Sequence, residues 1–401
     1  MEDTSLEKTK LVNAFVIALV HLSEPFYVLA LSPVMKGENS QTVSCWFDQA
    51  VQIAVDNNLP FIGIGADGDS KVRKFYMDTY IKKAQETDGL TLDFEGFDFA
   101  AVVKRIGTTN IATTMQPDWR HLIKKWRNQL LNTKKILLMG KNLVIMEHLM
   151  EIYETYKLES GLWKSDVFVR DKQNVDAAKR LLQPAVRDCL IKSNFDSTRG
   201  LRAYLSVGSC LLRCYTDNEI SVRERAKLAW TPVIFLRLWK IWILSKQYDS
   251  KTHFISDQTY TDTILAGHSL ILNMLIFSKY YPEVPFCPSF FGSDACEVLF
   301  SYLRGFTRGK NNFNFLEMLD ITARTVKLLE LKYKGRRLKS KRNHSAWPSN
   351  LEKEIIEGIK DAEREVLKTV EEMGTVPGLR EANIVYKNPK TGVLTLPKHR
   401  Y

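Results

Sequence analysis

The sequence predicts an α+β fold in which an RNase H-like type of core, a mixed sheet flanked by helices, is interrupted by a large all-helical insertion. The first third of the chain alternates β-rich apolar runs with segments of helical spacing, whereas residues 136–286 show helical spacing almost throughout. A hydrophobic content of 45% in 401 residues is enough to bury one large core or two ordinary ones. We therefore expect a split α+β core with a helical segment inserted into it.

Local patterns predict five elements early in the chain, in the order strand, strand, helix, strand and helix. They cover residues 11–20, 26–34, 40–57, 60–66 and 71–84. The first two are β-rich runs joined by a short polar segment with Pro25, which is typical of an antiparallel hairpin. The first helix has Asn39 or Ser40 as its N-cap. The third strand ends at Asp67, so a carboxylate stands at the edge of the predicted sheet.

The next segments predict a strand, a basic helix and a long run of helices. After a polar connection, residues 110–114 form a predicted strand, and Pro117 introduces a helix at 118–131. Three basic residues, Lys124, Lys125 and Arg127, lie along one turn of that helix. Helical apolar spacing is clearest at 137–156, 176–191, 201–215 and 223–244.

A carboxylate on an apolar helix, Glu297, is the most informative feature of the last third. The segment 292–305 reads Gly-Ser-Asp-Ala-Cys-Glu-Val-Leu-Phe-Ser-Tyr-Leu-Arg-Gly, and an Asn-rich stretch follows it. Asp294 in this segment is either a partner acid or the N-cap of the helix. Beyond it, residues 332–342 are strongly basic and contain no acid, and residues 350–373 form a charged amphipathic helix.

The charge balance favours a polyanionic partner. The formal net charge is +11, and nucleic acid is the commonest partner of such a chain. The six cysteines lie in apolar surroundings without a Cys-x-x-Cys pair, which indicates reduced thiols in an intracellular protein. The apolar runs at 11–22 and 264–280 are short or interrupted by polar residues, so we expect no membrane partner.

Several of these segments resemble the P-element-like (THAP-associated) DNA transposases, over about residues 10–330. The order of hairpin, helix, buried strand and acid is that of the middle of an RNase H-like fold. Matching segments begin at Asp67, Asp118, Asp171 and Gly292. The resemblance implies metal-dependent DNA cleavage and strand transfer as the ancestral activity. It also implies that Asp67 and Glu297 are the second and third acids of the family's catalytic triad.

The first acid of that triad is expected on a strand just upstream of the hairpin. Only ten residues precede the hairpin and they read as polar and charged, and Asp3, the sole Asp among them, has no apolar run around it. The family's zinc-coordinating THAP domain is not recognisable either, because no Cys-x(2–4)-Cys pattern precedes residue 40. We therefore expect either a truncated chain or a protein whose cleavage activity has been lost.

Two-metal phosphoryl transfer needs a cluster of carboxylates that holds divalent ions about 4 Å apart. Hard oxygen ligands suit Mg²⁺ or Mn²⁺. Asp67 and Glu297 are the candidate catalytic and metal-binding residues, and Asp118 is a candidate ligand or an N-cap. Two other interpretations stay open: Asp67 in an Asx-type turn, and Glu297 as a helix-surface carboxylate paired with Arg304 or Lys310.

Basic residues in three segments are candidate DNA contacts. They are Lys124, Lys125, Arg127, Arg304, Arg308, Lys310, Arg336, Arg337, Lys339, Lys341 and Arg342. The run at 332–342 is also compatible with a solvated helix end or a nuclear-import signal, and we expect a nuclear protein. Phosphate contacts of this kind make binding steeply salt-dependent and carry little sequence information.

A nucleotide site is implied by the resemblance alone, since some relatives use GTP as a cofactor. Residues 305–311 are one residue short of a phosphate-binding P-loop and lack its terminal Ser or Thr. The guanine-reading pattern Asn-Lys-x-Asp does not occur in the helical stretch. The resemblance also leaves a homo-oligomer open.

The chain thus divides into four predicted parts. Residues 1–135 are the first part of the core, 136–286 the helical insertion, 287–330 the last core helix with its acid, and 331–401 a basic extension with an amphipathic helix. We predict a transposon-derived DNA-binding protein with impaired cleavage, so whether it is an enzyme stays open. The alternatives are a non-enzymatic, domesticated DNA- or protein-binding scaffold, and an unrelated helical scaffold in which Asp67 and Glu297 would lie far apart.

Overall fold

The computed structural model describes residues 12–18, 26–34, 36–59, 61–82, 90–94, 97–106, 109–306, 315–334 and 347–374. Its strands are β1 (Val12–Ile17), β2 (Tyr27–Pro33), β3 (Gly63–Ala66), β4 (Leu90–Phe94), β5 (Phe97–Ile106), β6 (Thr109–Pro117), β7 (Leu137–Met139) and β8 (Asn142–Val144). Its helices are α1 (Ser40–Asp56), α2 (Ser70–Tyr76), α3 (Trp119–Leu130), α4 (Glu147–Ser160), α5 (Lys164–Val167), α6 (Val175–Leu181), α7 (Pro184–Ser193), α8 (Arg199–Thr216), α9 (Val222–Ser245), α10 (Ser250–His253), α11 (Asp257–Tyr280), α12 (Asp294–Phe306), α13 (Phe315–Lys334) and α14 (Leu351–Glu372). A π-helical segment, Met77–Lys82, continues α2.

The predicted hairpin and the helix after it are confirmed. β1 and β2 pair antiparallel, with an irregularity between Phe15 and Val16. The Asn39 side chain caps α1 by accepting hydrogen bonds from the backbone N–H groups of Gln41 (2.8 Å) and Thr42 (3.3 Å). The Thr42 hydroxyl accepts one in return from the Asn39 N–H (3.2 Å), so the start of α1 is fixed by a capping box.

A four-stranded sheet has the order β3–β6–β5–β4. β3 runs parallel to β6, with Ala66 opposite Pro117, and the other neighbours are antiparallel. The third predicted strand is therefore present, although it begins at Gly63, and the strand expected at 110–114 is longer than predicted. Because β3 and β6 are parallel, the residues that follow them emerge at the same edge of the sheet.

The polar connection expected before β6 was a wrong prediction, because it contains β4 and β5. The signal was present but weak: residues 90–94 alternate apolar and polar side chains, and residues 99–103 are a continuous apolar run. Acidic residues at 93, 95 and 98 lie in and between these two short patterns, and they lowered the apparent strand content.

The helices between β6 and residue 281 surround the largest apolar core. The side chains of Trp230, Trp239 and Trp242 are buried in it and serve core packing. α9 and α11 are long and apolar enough to cross a membrane by length and composition. However, 72% and 83% of their most apolar windows are buried inside the protein, as in ordinary core helices.

The amphipathic helix near the carboxyl end, α14, packs along α9. A Cβ atom at Gly358 would lie 2.3 Å from the backbone oxygen of Arg223, so the two helices approach closely at this glycine. Ion pairs border the contact, with Arg223 Nε 2.7 Å from Asp361 and Lys227 Nζ 2.7 Å from Glu365. α14 thus contributes to the same core as the helices of 136–286.

The hairpin packs elsewhere, against α12 and α13. Phe26, Leu299, Leu303 and Met318 form a separate buried cluster there. Glu297 lies on α12 two residues before Leu299 of this cluster, so the hairpin and α13 together support the helix that carries it.

Candidate metal centre

Asp67 and Asp118 leave the sheet side by side. Each directly follows the last residue of its strand, and those residues, Ala66 and Pro117, are opposite one another in the parallel pair. The Asp118 N–H donates to the Ala66 carbonyl at 2.9 Å, which extends the ladder by one step. The two acids therefore start from neighbouring backbone positions at one sheet edge.

The Asp118 carboxylate accepts two sets of hydrogen bonds, one from the start of α3 and one from Ser293. One oxygen caps α3 by accepting hydrogen bonds from the N–H groups of Arg120 (2.7 Å) and His121 (3.4 Å). The other accepts hydrogen bonds from the Ser293 N–H (3.0 Å) and hydroxyl (2.5 Å). Burial by itself raises the pKa of Asp118, but the hydrogen bonds from Ser293 and the nearby His121 outweigh it, and the net pKa is lowered. Asp118 is therefore an ionised carboxylate, and the N-cap interpretation is correct.

Two glycines allow the start of α12 to reach the sheet. A Cβ atom at Gly65 would lie 2.5 Å from the backbone oxygen of Gly292, so β3 and the segment before α12 are in direct backbone contact. A Cβ atom at Gly292 would lie 3.3 Å from the Asp118 carboxyl carbon. This close approach brings the first turn of α12, which carries Glu297, to the edge where Asp118 emerges.

Asp118, His121 and Glu297 form one cluster. Their nearest ligand atoms all lie within 4.8 Å of one another, and His121 Nε2 is 3.0 Å from Glu297 Oε1. The hydrogen bond from His121 is the main reason that the pKa of Glu297 is lowered, and the positive charge of Lys124 adds to it against the effect of burial. Two carboxylates and an imidazole are a ligand set for a divalent transition metal such as Mn²⁺.

Sequence reasoning missed His121 as a candidate ligand. The available signal was the spacing Asp118-x-x-His121, which places both side chains on one face of α3. His121 Nδ1 is buried and has no hydrogen-bond partner among the described residues. An imidazole held between two carboxylates with one nitrogen unsatisfied is suited to a further ligand.

Asp67 lies beside this cluster and outside it. Its side chain is exposed and makes no hydrogen bond or ion pair among the described residues. Burial, together with the negative charges of Asp67, Glu297 and Asp118, raises the pKa of the Cys296 thiol to about 11. All three carboxylates therefore lie near enough to Cys296 to act on it electrostatically, and Asp67 and Glu297 are not far apart.

Three of the expected DNA contacts on α3 lie within the protein. Arg127 is 2% exposed and donates to the carbonyl of Asp171 at 3.3 Å, so its expected phosphate contact is corrected to a structural role. Lys124 is 7% exposed, and its ammonium lies within electrostatic range of Asp67, Asp118 and Glu297. Burial lowers the pKa of Lys124, and these carboxylates raise it in part.

Lys125 is bound to an internal acid, with its ammonium 2.6 Å from Asp262. Helical periodicity could not distinguish these internal positions from a solvated basic face. Arg304 is exposed in the last turn of α12. The remaining candidate DNA contacts lie outside the described residues: Arg308, Lys310, Arg336, Arg337, Lys339, Lys341 and Arg342.

Asp294, expected as a partner acid or N-cap, is the first residue of α12 and forms an ion pair with Arg120. Burial raises its pKa, and Arg120 lowers it in part. Asp294 thus fixes the first turn of α12 to α3, immediately beside the cluster.

No protein-family model matches the chain, and no curated protein matches it in sequence. In three-dimensional structure, however, the chain is similar to the Drosophila P element transposase in its strand transfer complex, with a TM-score of 0.55 and 11% sequence identity. The match covers 78% of this chain and 68% of the transposase chain. Similarity at this level of identity shows that the two chains share a fold, here a transposase-like α+β fold dominated by helices.

Proposed function

We propose that this chain is a transposon-derived DNA-binding protein that holds a divalent metal ion at Asp118, His121 and Glu297. The main support is the cluster of Asp118, His121 and Glu297 at the carboxyl edge of β3 and β6, which lies in a chain with the fold of a DNA transposase. Metal-dependent DNA cleavage and strand transfer is the ancestral activity in this proposal. The cofactor is Mn²⁺ or Mg²⁺, and GTP stays an implication of the sequence resemblance alone.

The proposed catalytic-type core has the RNase H-like arrangement. Its support is the element order of hairpin, α1, β3, α2, β4, β5, β6 and α3, followed by the segment 136–286, which is helical after the short strands β7 and β8, and then by α12 with its acid. The separate parts meet where Gly65 contacts Gly292. In this proposal the helical segment is an insertion between the sheet and the last acid-bearing helix.

The donor set fits a divalent metal ion. Asp118 and Glu297 are carboxylates with lowered pKa values, so both are ionised at neutral pH. His121 offers a buried nitrogen that makes no hydrogen bond among the described residues and lies 3.8 Å from an Asp118 oxygen, and Asp67 adds an unpaired carboxylate from the neighbouring strand. A metal ion held there would supply Lewis-acid chemistry, polarising a phosphoryl oxygen and lowering the pKa of a bound water. The residues themselves bind the ion and hold one another in place, with Ser293 orienting Asp118.

DNA is the proposed partner and the nucleus the proposed compartment. The net charge of +11 supports a polyanionic partner, and the similar solved structure is a transposase strand transfer complex. The basic run at 332–342 connects α13 to α14, where it suits a nuclear-import signal or a contact to DNA phosphates. A homo-oligomer belongs to the proposal only by family resemblance.

A non-enzymatic DNA-holding protein is the second candidate, and one observation favours it. The Lys124 ammonium lies within electrostatic range of Asp67, Asp118 and Glu297, so it supplies positive charge beside the cluster that would compete with a second metal ion. Such a protein would keep the fold and the basic surface while the two-metal chemistry is weakened.

Calorimetric titration of Mn²⁺ into the purified protein tests the proposal. Asp118→Asn, His121→Gln and Glu297→Gln should each abolish or strongly weaken binding. Asp320→Asn removes an exposed carboxylate on α13 that pairs with Arg324, and it should leave the titration unchanged. Absence of binding in the unchanged protein, or binding that survives all three cluster variants, would remove the metal centre and leave the DNA-holding function.

A further inference from the structure

A buried ion cluster lies beneath the loop that carries Asp67. Asp262, on α11, has a side chain that is 5% exposed and accepts hydrogen bonds from Arg73 Nε (2.6 Å) and Lys125 Nζ (2.6 Å). Arg73 belongs to α2 and Lys125 to α3, so this single carboxylate joins three helices. The cluster does not include Asp118, His121 or Glu297.

The same cluster holds the backbone directly after Asp67. The carbonyl of Gly68 accepts hydrogen bonds from Arg73 and from Gln258 Nε2 (3.0 Å), the latter on α11. A Cβ atom at Gly68 would lie 2.2 Å from Lys125 Nζ and 2.7 Å from Asp262 Oδ2. Only glycine fits this position without displacing the ions, so the path of the loop is set by the cluster.

The charges explain why Asp262 cannot be lost without consequence. Its carboxylate is matched by two largely buried cations, and removing one partner of a buried ion cluster leaves the others uncompensated. Arg73 and Lys125 would then repel one another directly under Gly68. The loop, whose Gly68 carbonyl is held by Arg73 and Gln258, would shift with them.

We propose that Asp262 is a positioning residue that sets the Asp67 carboxylate relative to Asp118 and Glu297. Through it, α11 in the helical segment controls the geometry of the metal centre without touching it. The inference rests on the proposed metal-binding function. The inference adds that the helical segment influences metal affinity through Asp262, besides any contact that it makes with DNA.

A double-mutant cycle on Mn²⁺ affinity tests this role. Asp262→Asn should weaken Mn²⁺ binding about tenfold, as expected for a residue that orients a ligand from outside the metal's own ligand set. In an Asp67→Asn background the same change should have no further effect, because its target is already absent. A merely structural role would lower affinity equally in both backgrounds.

Two further variants keep the test decisive. Asp257→Asn on the same helix removes an 85% exposed carboxylate that pairs with Lys240, and it should leave Mn²⁺ affinity unchanged. Gly68→Ala keeps every charge but displaces the Lys125 ammonium and the Asp262 carboxylate from beneath the loop, and it should reproduce the weakening caused by Asp262→Asn. If the unchanged protein binds no Mn²⁺, the proposed function fails and this inference fails with it.

If the unchanged protein binds Mn²⁺ but Asp262→Asn and Gly68→Ala bind it equally well, only the positioning role is overturned. Additive effects of Asp262→Asn and Asp67→Asn would also overturn it. Loss of folding in both Asp262→Asn and Gly68→Ala, measured by circular dichroism, would assign the ion cluster to stability and would likewise overturn the proposal.

Discussion

Two replacements of Asp118 distinguish its contribution to stability from its proposed contribution to metal binding. Asp118→Ala removes the cap of α3, worth about 1 kcal/mol. It also leaves the half-buried N–H and hydroxyl of Ser293 without their acceptor, at about 1–3 kcal/mol more. We therefore expect Asp118→Ala to lower the free energy of unfolding by about 3 kcal/mol. Asp118→Asn keeps an oxygen for the cap and should cost only about 1–2 kcal/mol.

Urea unfolding, followed by circular dichroism, measures these differences. Asp69→Ala is the matched control, because Asp69 also caps a helix, through the Lys71 N–H at 2.7 Å, but is exposed and holds nothing else. It should cost about 1 kcal/mol. The reasoning is refuted if Asp118→Ala costs no more than Asp69→Ala, because the link from Asp118 to Ser293 would then contribute nothing. It is equally refuted if Asp118→Asn keeps the Mn²⁺ affinity of the unchanged protein.

Three other outcomes follow from contacts away from Asp118. Lys124→Met should raise Mn²⁺ affinity about fivefold, or about 1 kcal/mol, because it removes a positive charge that acts on the same carboxylates. Weaker binding of Mn²⁺ in calorimetry would contradict this. Gly65→Ala should lower stability by about 1–3 kcal/mol in urea unfolding, since its Cβ would meet the Gly292 backbone, whereas the exposed Gly305→Ala should not. Burial lowers the pKa of His268 to about 3 from its usual 6.5, so protonation favours the unfolded chain. Stability should be complete above pH 6.5 and fall by up to about 1.4 kcal/mol per pH unit below it, with no such slope from this site in His268→Gln.

The elements that the sequence predicted well are those that depend on local patterns. The capping residue Asn39 and the apolar spacing behind it specify α1 without help from the rest of the chain. The strand before Asp67 and the helix after Pro117 were found for the same reason. β4 and β5 were missed because strand pairing depends on distant partners, and their acidic residues hid the alternation.

The candidate site could be predicted only in part. Asp67, Asp118 and Glu297 were found by resemblance, but the tight cluster contains His121 in place of Asp67. That difference depends on the contact between Gly65 and Gly292, which joins segments far apart in the sequence. The burial of Lys124 and Arg127 could not be predicted from the sequence either. Both residues have the spacing of a basic face, yet the helical segment covers both.

The most direct test of the metal centre is electron spin-echo spectroscopy of the protein loaded with one equivalent of Mn²⁺. Directly bound imidazole nitrogen gives a characteristic ¹⁴N modulation of the Mn²⁺ signal. We predict this modulation in the unchanged protein and its loss in His121→Gln, while His148→Gln, on α4, keeps it. Bound Mn²⁺ without nitrogen modulation, or modulation that persists in His121→Gln, would contradict the assignment of Asp118, His121 and Glu297 as the metal site.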